Sequence, residues 1–155
     1  MCSAVKRAAM AATLACAIPA AAQRSHAPAV RLSPAQAVMN AAEMPEGVGG
    51  VFEMVVRATG RTGTLLYLNS EADYRDPRNL TIVVPPREQS DLTKRFDAPL
   101  EAALLNKVIA VRGTARKTRI DFTADGQPTG KYYFQTHLNL RSARDLTVEG
   151  ERPIP

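Results

Sequence analysis

"LLYLNSEADYRDPRNLTIVVPP", residues 65–86, reads as two strands joined by a wide, charged turn. Both flanks are apolar and rich in β-branched side chains, as strands with a buried face require. Pro85 and Pro86 lack the N–H that a sheet ladder needs and end the second strand. Within the turn, Asn69 caps the strand end, Asp73 and Asp76 suit side-chain bonds to nearby amides, and Pro77 stiffens the bend. Folding has no such use for Tyr67, Tyr74, Arg75 or Arg78.

Working outward, "GGVFEMVVRATG" (49–60) reads as a strand before this pair, with a Gly-containing turn at Arg61, Thr62 and Gly63 leading into it. After it, "FDAPLEAALLNK" (96–107) reads as a helix. Asp97 is its cap, Pro99 lies in its first turn, and Leu100, Leu104 and Leu105 form its buried side. "KVIAVRGTARKTRIDFT" (107–123) is a long fourth strand, "ADGQPTG" a turn with Asp-Gly at its tip, and "KYYFQTHLNL" (131–140) a fifth strand. Upstream, Ser33, Pro34 and Gln36 open a short helix with a capping box, and Pro45 and Gly47 stop it. Ala35, Val38, Met39 and Ala42 are its expected apolar stripe.

The order β-β-β-α-β-β predicts an all-β domain with one or two short helices. It is that of a five-stranded Greek-key barrel, the OB-fold, here preceded by a short N-terminal helix. Gly113, midway along the fourth strand, suits a barrel corner. The expected layout is a leader over 1–22, a flexible tether over 23–32, a helix over 33–47, the barrel domain over 48–149 and a tail over 150–155.

The leader rests on "MCSAVKRAAMAATLACAIPAAAQ". Lys6 and Arg7 precede a short apolar run, Pro19 breaks it, and the alanines 20–22 offer a cleavage site. The run is too short to span a bilayer. A periplasmic or secreted chain cleaved near Ala22 is expected, the alternative being a lipoprotein anchored through Cys16 in "TLAC". Both cysteines, Cys2 and Cys16, fall in the leader, so the remaining chain must hold its fold by burial alone. Loss of Lys6 and Arg7 lowers the net charge from +5 to +3, a mild excess. It does not mark a polyanion binder unless the cations cluster.

The hairpin and the following strand resemble extracytoplasmic bacterial OB-fold domains of the thermonuclease-like type. Leu68-Asn69, Tyr74, Arg75-Asp76-Pro77 and residues 81–84 carry the likeness, as do Asn106-Lys107, Val111 and Gly113. The likeness covers residues 48–149 and implies fold more than chemistry, because this fold hosts many functions.

Ligands of such barrels sit on strands two and three and the adjoining loops. The candidate site therefore takes Tyr67 and Tyr74 as stacking platforms and Arg61, Arg75 and Arg78 as anion grips, with Asn69 beside them. On the fourth strand, Arg116 and Arg119 alternate with Arg112, Thr114, Lys117 and Thr118 so that both sides are basic. Such a strand must leave the barrel and project into water. On the fifth, Tyr133 and His137 share a polar face with Lys131, Gln135 and Asn139, while Tyr132, Phe134, Leu138 and Leu140 are assigned to the core.

No catalytic set assembles. The chain past the leader has no cysteine, its histidines are His26 and His137 alone, and no zinc spacing occurs. Asp73, Asp76 and Asp121 with Arg112 would have to converge for a nuclease-like reaction, and nothing in their spacing makes them do so. A non-catalytic binding protein without cofactor or metal is expected. Its partner is an anionic or sugar-containing oligomer, nucleic acid or oligosaccharide, or alternatively an envelope protein.

Overall fold

The structure, a computed structural model, describes residues 30–149. The leader, Cys16, most of the tether and the tail lie outside these residues. Arg31–Leu32, the end of the stretch assigned to the tether, form a short strand, β1, parallel to Val51–Phe52.

Helix α1 spans Pro34–Glu43. Its capping box is formed: Ser33 Oγ accepts from the Gln36 N–H at 3.3 Å, and Gln36 Oε1 accepts from the Ser33 N–H at 2.9 Å. The buried face differs from the expected stripe. Ala37 and Ala41 are buried, whereas Ala35, Met39 and Ala42 are exposed. The helix is apolar nearly all round, and the two methyl groups allow the closest approach to the strands beneath.

The stretch expected as one first strand is two, β2 (Val48–Val55) and β3 (Ala58–Thr62). The chain changes partners between them. The Val56 N–H donates to the Lys107 carbonyl at 2.9 Å, and the Arg57 N–H to the Asn69 carbonyl at 2.9 Å. Backbone groups on either side of the bend thus stay paired, as burial demands. β4 (Leu65–Asn69) follows through a tight turn in which Gly63 has φ +57°, and β5 (Leu80–Val84) completes the meander.

The two prolines end β5 as expected, but they also start a helix that the sequence reading missed. α2 spans Pro86–Phe96, with Pro85 at its N-cap. Asp97 is not the cap of the next helix. It closes α2 in the left-handed region, φ +50°, its N–H donating to the Thr93 carbonyl at 2.9 Å. The expected helix over 96–107 shrinks to α3, Leu100–Leu104, capped by Pro99. Leu100 and Leu104 are buried, whereas Leu105 is exposed.

β6 (Val108–Ala124) and β7 (Gln127–Asn139) are joined by Asp125 and Gly126, both at positive φ, the two-residue turn of a twisted hairpin. A short 3₁₀ turn leads to β8, Leu146–Val148, on β6. Gly113 is required by contact: a Cβ there would meet Leu138 Cδ2 at 2.8 Å.

The eight strands form one mixed sheet in the order β1-β2-β6-β7-β5-β4-β3, with β8 off this path. All its pairings are antiparallel except β1–β2 and β5–β7. The core lies on its inner face, where Phe52, Leu66, Leu68, Ile82, Ile109, Val111, Leu138 and Leu140 meet Leu92 and Leu104 of the helices. Each large side chain so buried contributes about 1.5–3 kcal/mol.

The ladder of β6 with β2 ends at Ala115, and that of β7 with β5 begins at Thr136. Beyond those points β6 and β7 pair only with each other. Residues 121–132 of this two-stranded arm are all exposed. Tyr132 and Phe134, assigned to the core with Leu138 and Leu140, are instead 51% and 47% exposed. They share the core's side of the strand but lie on the arm side of Thr136, where the pairing with β5 stops. Arg119 covers the Tyr132 ring at 4.1 Å and Lys117 the Phe134 ring at 4.5 Å.

Candidate functional site

The turn between β4 and β5 is tied from within. The Asp73 carboxylate accepts the Arg75 N–H at 2.9 Å, and the Asp76 carboxylate accepts the Arg78 N–H at 2.8 Å. Two backbone bonds, Asp76 N–H to the Asp73 carbonyl and Asn79 N–H to the Asp76 carbonyl, add to these.

Beneath the turn lies a buried polar cluster. Asn79 Oδ1 accepts from the Glu71 N–H at 3.1 Å and from Ser70 Oγ at 3.3 Å. Asn79 Nδ2 donates to Thr81 Oγ1 at 2.9 Å, Asn69 Oδ1 at 3.1 Å and the Tyr74 carbonyl at 3.3 Å. Thr81 Oγ1 donates to Asn69 Oδ1 at 2.8 Å. Asn69 thus does more than cap a strand: its side chain ties β4 to β5.

Register then builds a face. Ala58, Asn69, Thr81, His137 and Arg116 are successive cross-strand partners on β3, β4, β5, β7 and β6. Directly opposed residues project from the same side of a sheet. On this side a cleft of about 470 Å³ opens, within the usual range for ligand pockets. Its lining includes β3, Tyr67, Asn69, Tyr74, Thr81, Ile120, Tyr133, Gln135 and His137.

Aromatic rings form much of its wall. Tyr67 and His137 have ring centres 6.3 Å apart, tilted by 58°. Tyr133 leans on Phe122 at 5.1 Å. Gln135 links the walls: its Nε2 donates to the Tyr74 carbonyl at 3.0 Å and to the Tyr133 hydroxyl at 3.2 Å, and its Oε1 lies 2.6 Å from His137 Nε2. Burial lowers the pKa of His137 below its ordinary value, so the ring is neutral at neutral pH. Burial also raises that of the Tyr133 hydroxyl, helped by the neighbouring Tyr74.

Of the expected site residues, Arg61, Tyr67, Asn69, Tyr74, Tyr133 and His137 line the cleft together. The other arginines do not. Arg75 lies over the Tyr74 ring at 5.0 Å. Arg116 shares the row of His137 but stands exposed outside the lining. Arg119 is on the opposite side of the arm, bonded to Asp121 at 2.7 Å. Arg78 is bidentate on Asp76, which lowers the Asp76 pKa to about 2. Arg61 is committed as well, bonded to the Glu101 carboxylate on α3 and, at 2.9 Å, to Gln89 on α2. That pairing raises the pKa of Arg61 and lowers that of Glu101.

Thr81, Ile120 and Gln135 are lining residues absent from the expected set. Gln135 was one alternation away from His137 on a face already singled out, whereas Thr81 and Ile120 join only through register. Among the described residues, no group of three or more His, Cys, Asp or Glu is placed to hold a metal ion. No described helix is long and apolar enough to cross a membrane.

No family model matches this chain, and no curated protein matches it either. Among solved structures, it is similar to a protein described as an aspartyl-tRNA synthetase from Leishmania major Friedlin. The identity is 10% and the TM-score 0.44, over 88% of this chain and 24% of that one. It is also similar to an aspartyl tRNA synthetase from Entamoeba histolytica, with 10% identity and a TM-score of 0.39, over 72% of this chain and 21% of that one. The chain spans about a quarter or less of the length of these proteins, and its functional reading rests on its own cleft.

Proposed function

We propose that this is an exported OB-fold protein that binds rather than catalyses, and that its cleft takes an anionic or sugar-containing oligomer by stacking the rings of that ligand. The barrel reading is supported by the strand circuit. Pairings run β2–β6–β7–β5–β4–β3, and β2 and β3 are consecutive halves of one stretch. The circuit thus returns to the stretch where it began, and its five strands follow the OB order. Export is supported by the leader's charge, apolar run and small-residue cleavage site.

The observation that carries the binding reading is the cleft itself. Three tyrosines and a neutral histidine converge on one side of five strands, around buried amide and hydroxyl groups. Sugars and bases both stack on such rings. Arg61, Arg78 and Arg119 each already hold a carboxylate, so the charge for an anionic ligand falls to Arg75 and Arg116.

The test is titration with a fluorescent single-stranded oligonucleotide and with an acidic oligosaccharide, at low and high salt. Binding is expected, and replacing both Tyr67 and Tyr74 by Ala should weaken it tenfold or more, since stacking contributes ~1–3 kcal/mol per base. Absence of binding at low salt removes this reading. It would leave docking of an envelope protein, which the exposed Tyr132 and Phe134 on the other side of the arm favour. Salt-insensitive co-purification of one such protein is the mark of that alternative.

A further inference from the structure

We infer that the β4–β5 turn fixes the hydrogen-bonding polarity of the cleft floor, with Asn69 offering an N–H donor and His137 a bare ring nitrogen, so that the cleft reads the edge of an uncharged nucleobase. The inference rests on the ligand-binding reading above and deepens it.

It starts from backbone groups whose polarity cannot change. The Glu71 N–H can only donate, and it donates to Asn79 Oδ1 at 3.1 Å. Asn79 Nδ2 must then point the other way, toward Thr81 and Asn69. Asn69 Oδ1 accepts both that N–H and the Thr81 hydroxyl. A reversed Asn69 amide would set donor against donor. Asn69 Nδ2 is therefore left without a partner in the protein. The residue is only 5% exposed and lines the cleft, so this donor is directed into it. The donor is not sealed from solvent, so it stays open at the cleft floor to an acceptor on a ligand.

The opposite wall obeys the same logic. The Tyr74 carbonyl can only accept, and it takes Gln135 Nε2. Gln135 Oε1 therefore faces His137 Nε2, which must carry the hydrogen. Burial keeps the ring neutral, which leaves Nδ1 as a bare acceptor. Glu71 and Tyr74 both belong to the turn, so one loop orients both walls.

A fixed donor and a fixed acceptor discriminate only between ligands whose own polarity is fixed. Sugar hydroxyls donate and accept alike, whereas a base edge carries defined donors and acceptors. The tyrosine faces suit its planar ring, and Arg75 and Arg116 lie outside for phosphate. These features favour a base of a single strand over a sugar.

Two measurements test this on the full chain. In a nitrogen-15-labelled sample at neutral pH, ring correlations of His137 should show the Nε2–H tautomer. The Nδ1–H tautomer overturns the inference, and this readout needs no ligand and no variant. Fluorescent oligothymidylate, whose bases carry carbonyl acceptors beside an N–H donor, is then titrated against the wild type and Asn69→Asp. The variant puts an oxygen where the cleft-facing N–H was. Its affinity should fall at least tenfold and stay reduced at high salt, where repulsion of phosphate by the new carboxylate is screened. Unchanged affinity, or a loss that salt erases, overturns the donor assignment. Binding of an acidic oligosaccharide but not of oligothymidylate overturns the nucleobase while leaving the cleft a ligand site. Binding of neither overturns both.

Discussion

Asn79 spends both ends of its side-chain amide inside the protein, and the hairpin depends on it. Asn79→Ala would leave the buried Ser70 hydroxyl and the Glu71 N–H without their acceptor. Each such group costs about 1–3 kcal/mol, so the variant should lose at least ~2 kcal/mol in a urea denaturation series. His137 makes a prediction of opposite reach. Its folded pKa is depressed below 6.5, so the unfolded chain binds the proton first as pH falls. Stability is therefore complete above pH 6.5 and declines as pH drops through that value toward the folded pKa. Urea midpoints measured across this window should show the decline in the wild type and a smaller one in His137→Gln. Local bonds such as those of Asp73 and Asp76 were readable from sequence because their acceptors lie two residues from their donors. The role of Asn79 was not, because its partners Asn69 and Ser70 lie ten and nine residues away, across a loop whose path no local rule supplies.

Helix α2 shows where pattern reading fails at the scale of an element. Two prolines correctly announced the end of β5, yet proline is also at home in the first turn of a helix. Leu92 is the one fully buried aliphatic residue of α2, too little for an apolar stripe to mark it. The helix is held instead through Gln89, whose Nε2 donates to the Thr64 carbonyl at 2.7 Å and the Val84 carbonyl at 2.8 Å. Arg61 belongs to the same tie. Its place in the turn adjoining the expected ligand strands suggests an anion grip, but Glu101 and Gln89 engage its guanidinium. Arg61→Ala should change oligomer affinity less than threefold. Its stability cost should stay within ~1 kcal/mol, as for other exposed ion pairs, and thermal melting beside a binding titration checks both. Strand alternation misled in β7 for another reason. Period two places Tyr132 and Phe134 with Leu138, but it does not say where neighbouring strands stop.

For the whole molecule, a mostly β chain with a few short helices followed from the sequence, because apolar alternation bounded by turn residues marks strands wherever it occurs. The length of the arm did not, since its pairing partners run out by register rather than by composition. Residues 121–132 bury little, so replacing 122–131 by an Asn-Gly turn should leave the melting temperature within a few degrees. Charge is likewise a property of the whole surface. With Arg75 and Arg116 available for phosphate, the logarithmic salt dependence of single-strand binding should have a slope of about −1.4, from ~0.7 per phosphate. A slope several times steeper would show that the arm's cations, not the cleft, govern association.

The parallel seam between β5 and β7 sets an order of events in folding. β6 and β7 meet through a two-residue turn and can zip together from neighbours in sequence, whereas Leu80 must find Thr136 across both helices and the whole of β6. Contacts that close so long a loop form late. Leu140, whose N–H donates to the Val83 carbonyl, stands at the end of that seam and is buried. Leu140→Ala should therefore hasten unfolding while leaving the refolding rate nearly unchanged, as for positions not yet structured in the transition state. The ligand face straddles this seam, so the cleft is completed only once this long-range pairing has formed, and binding competence waits on it.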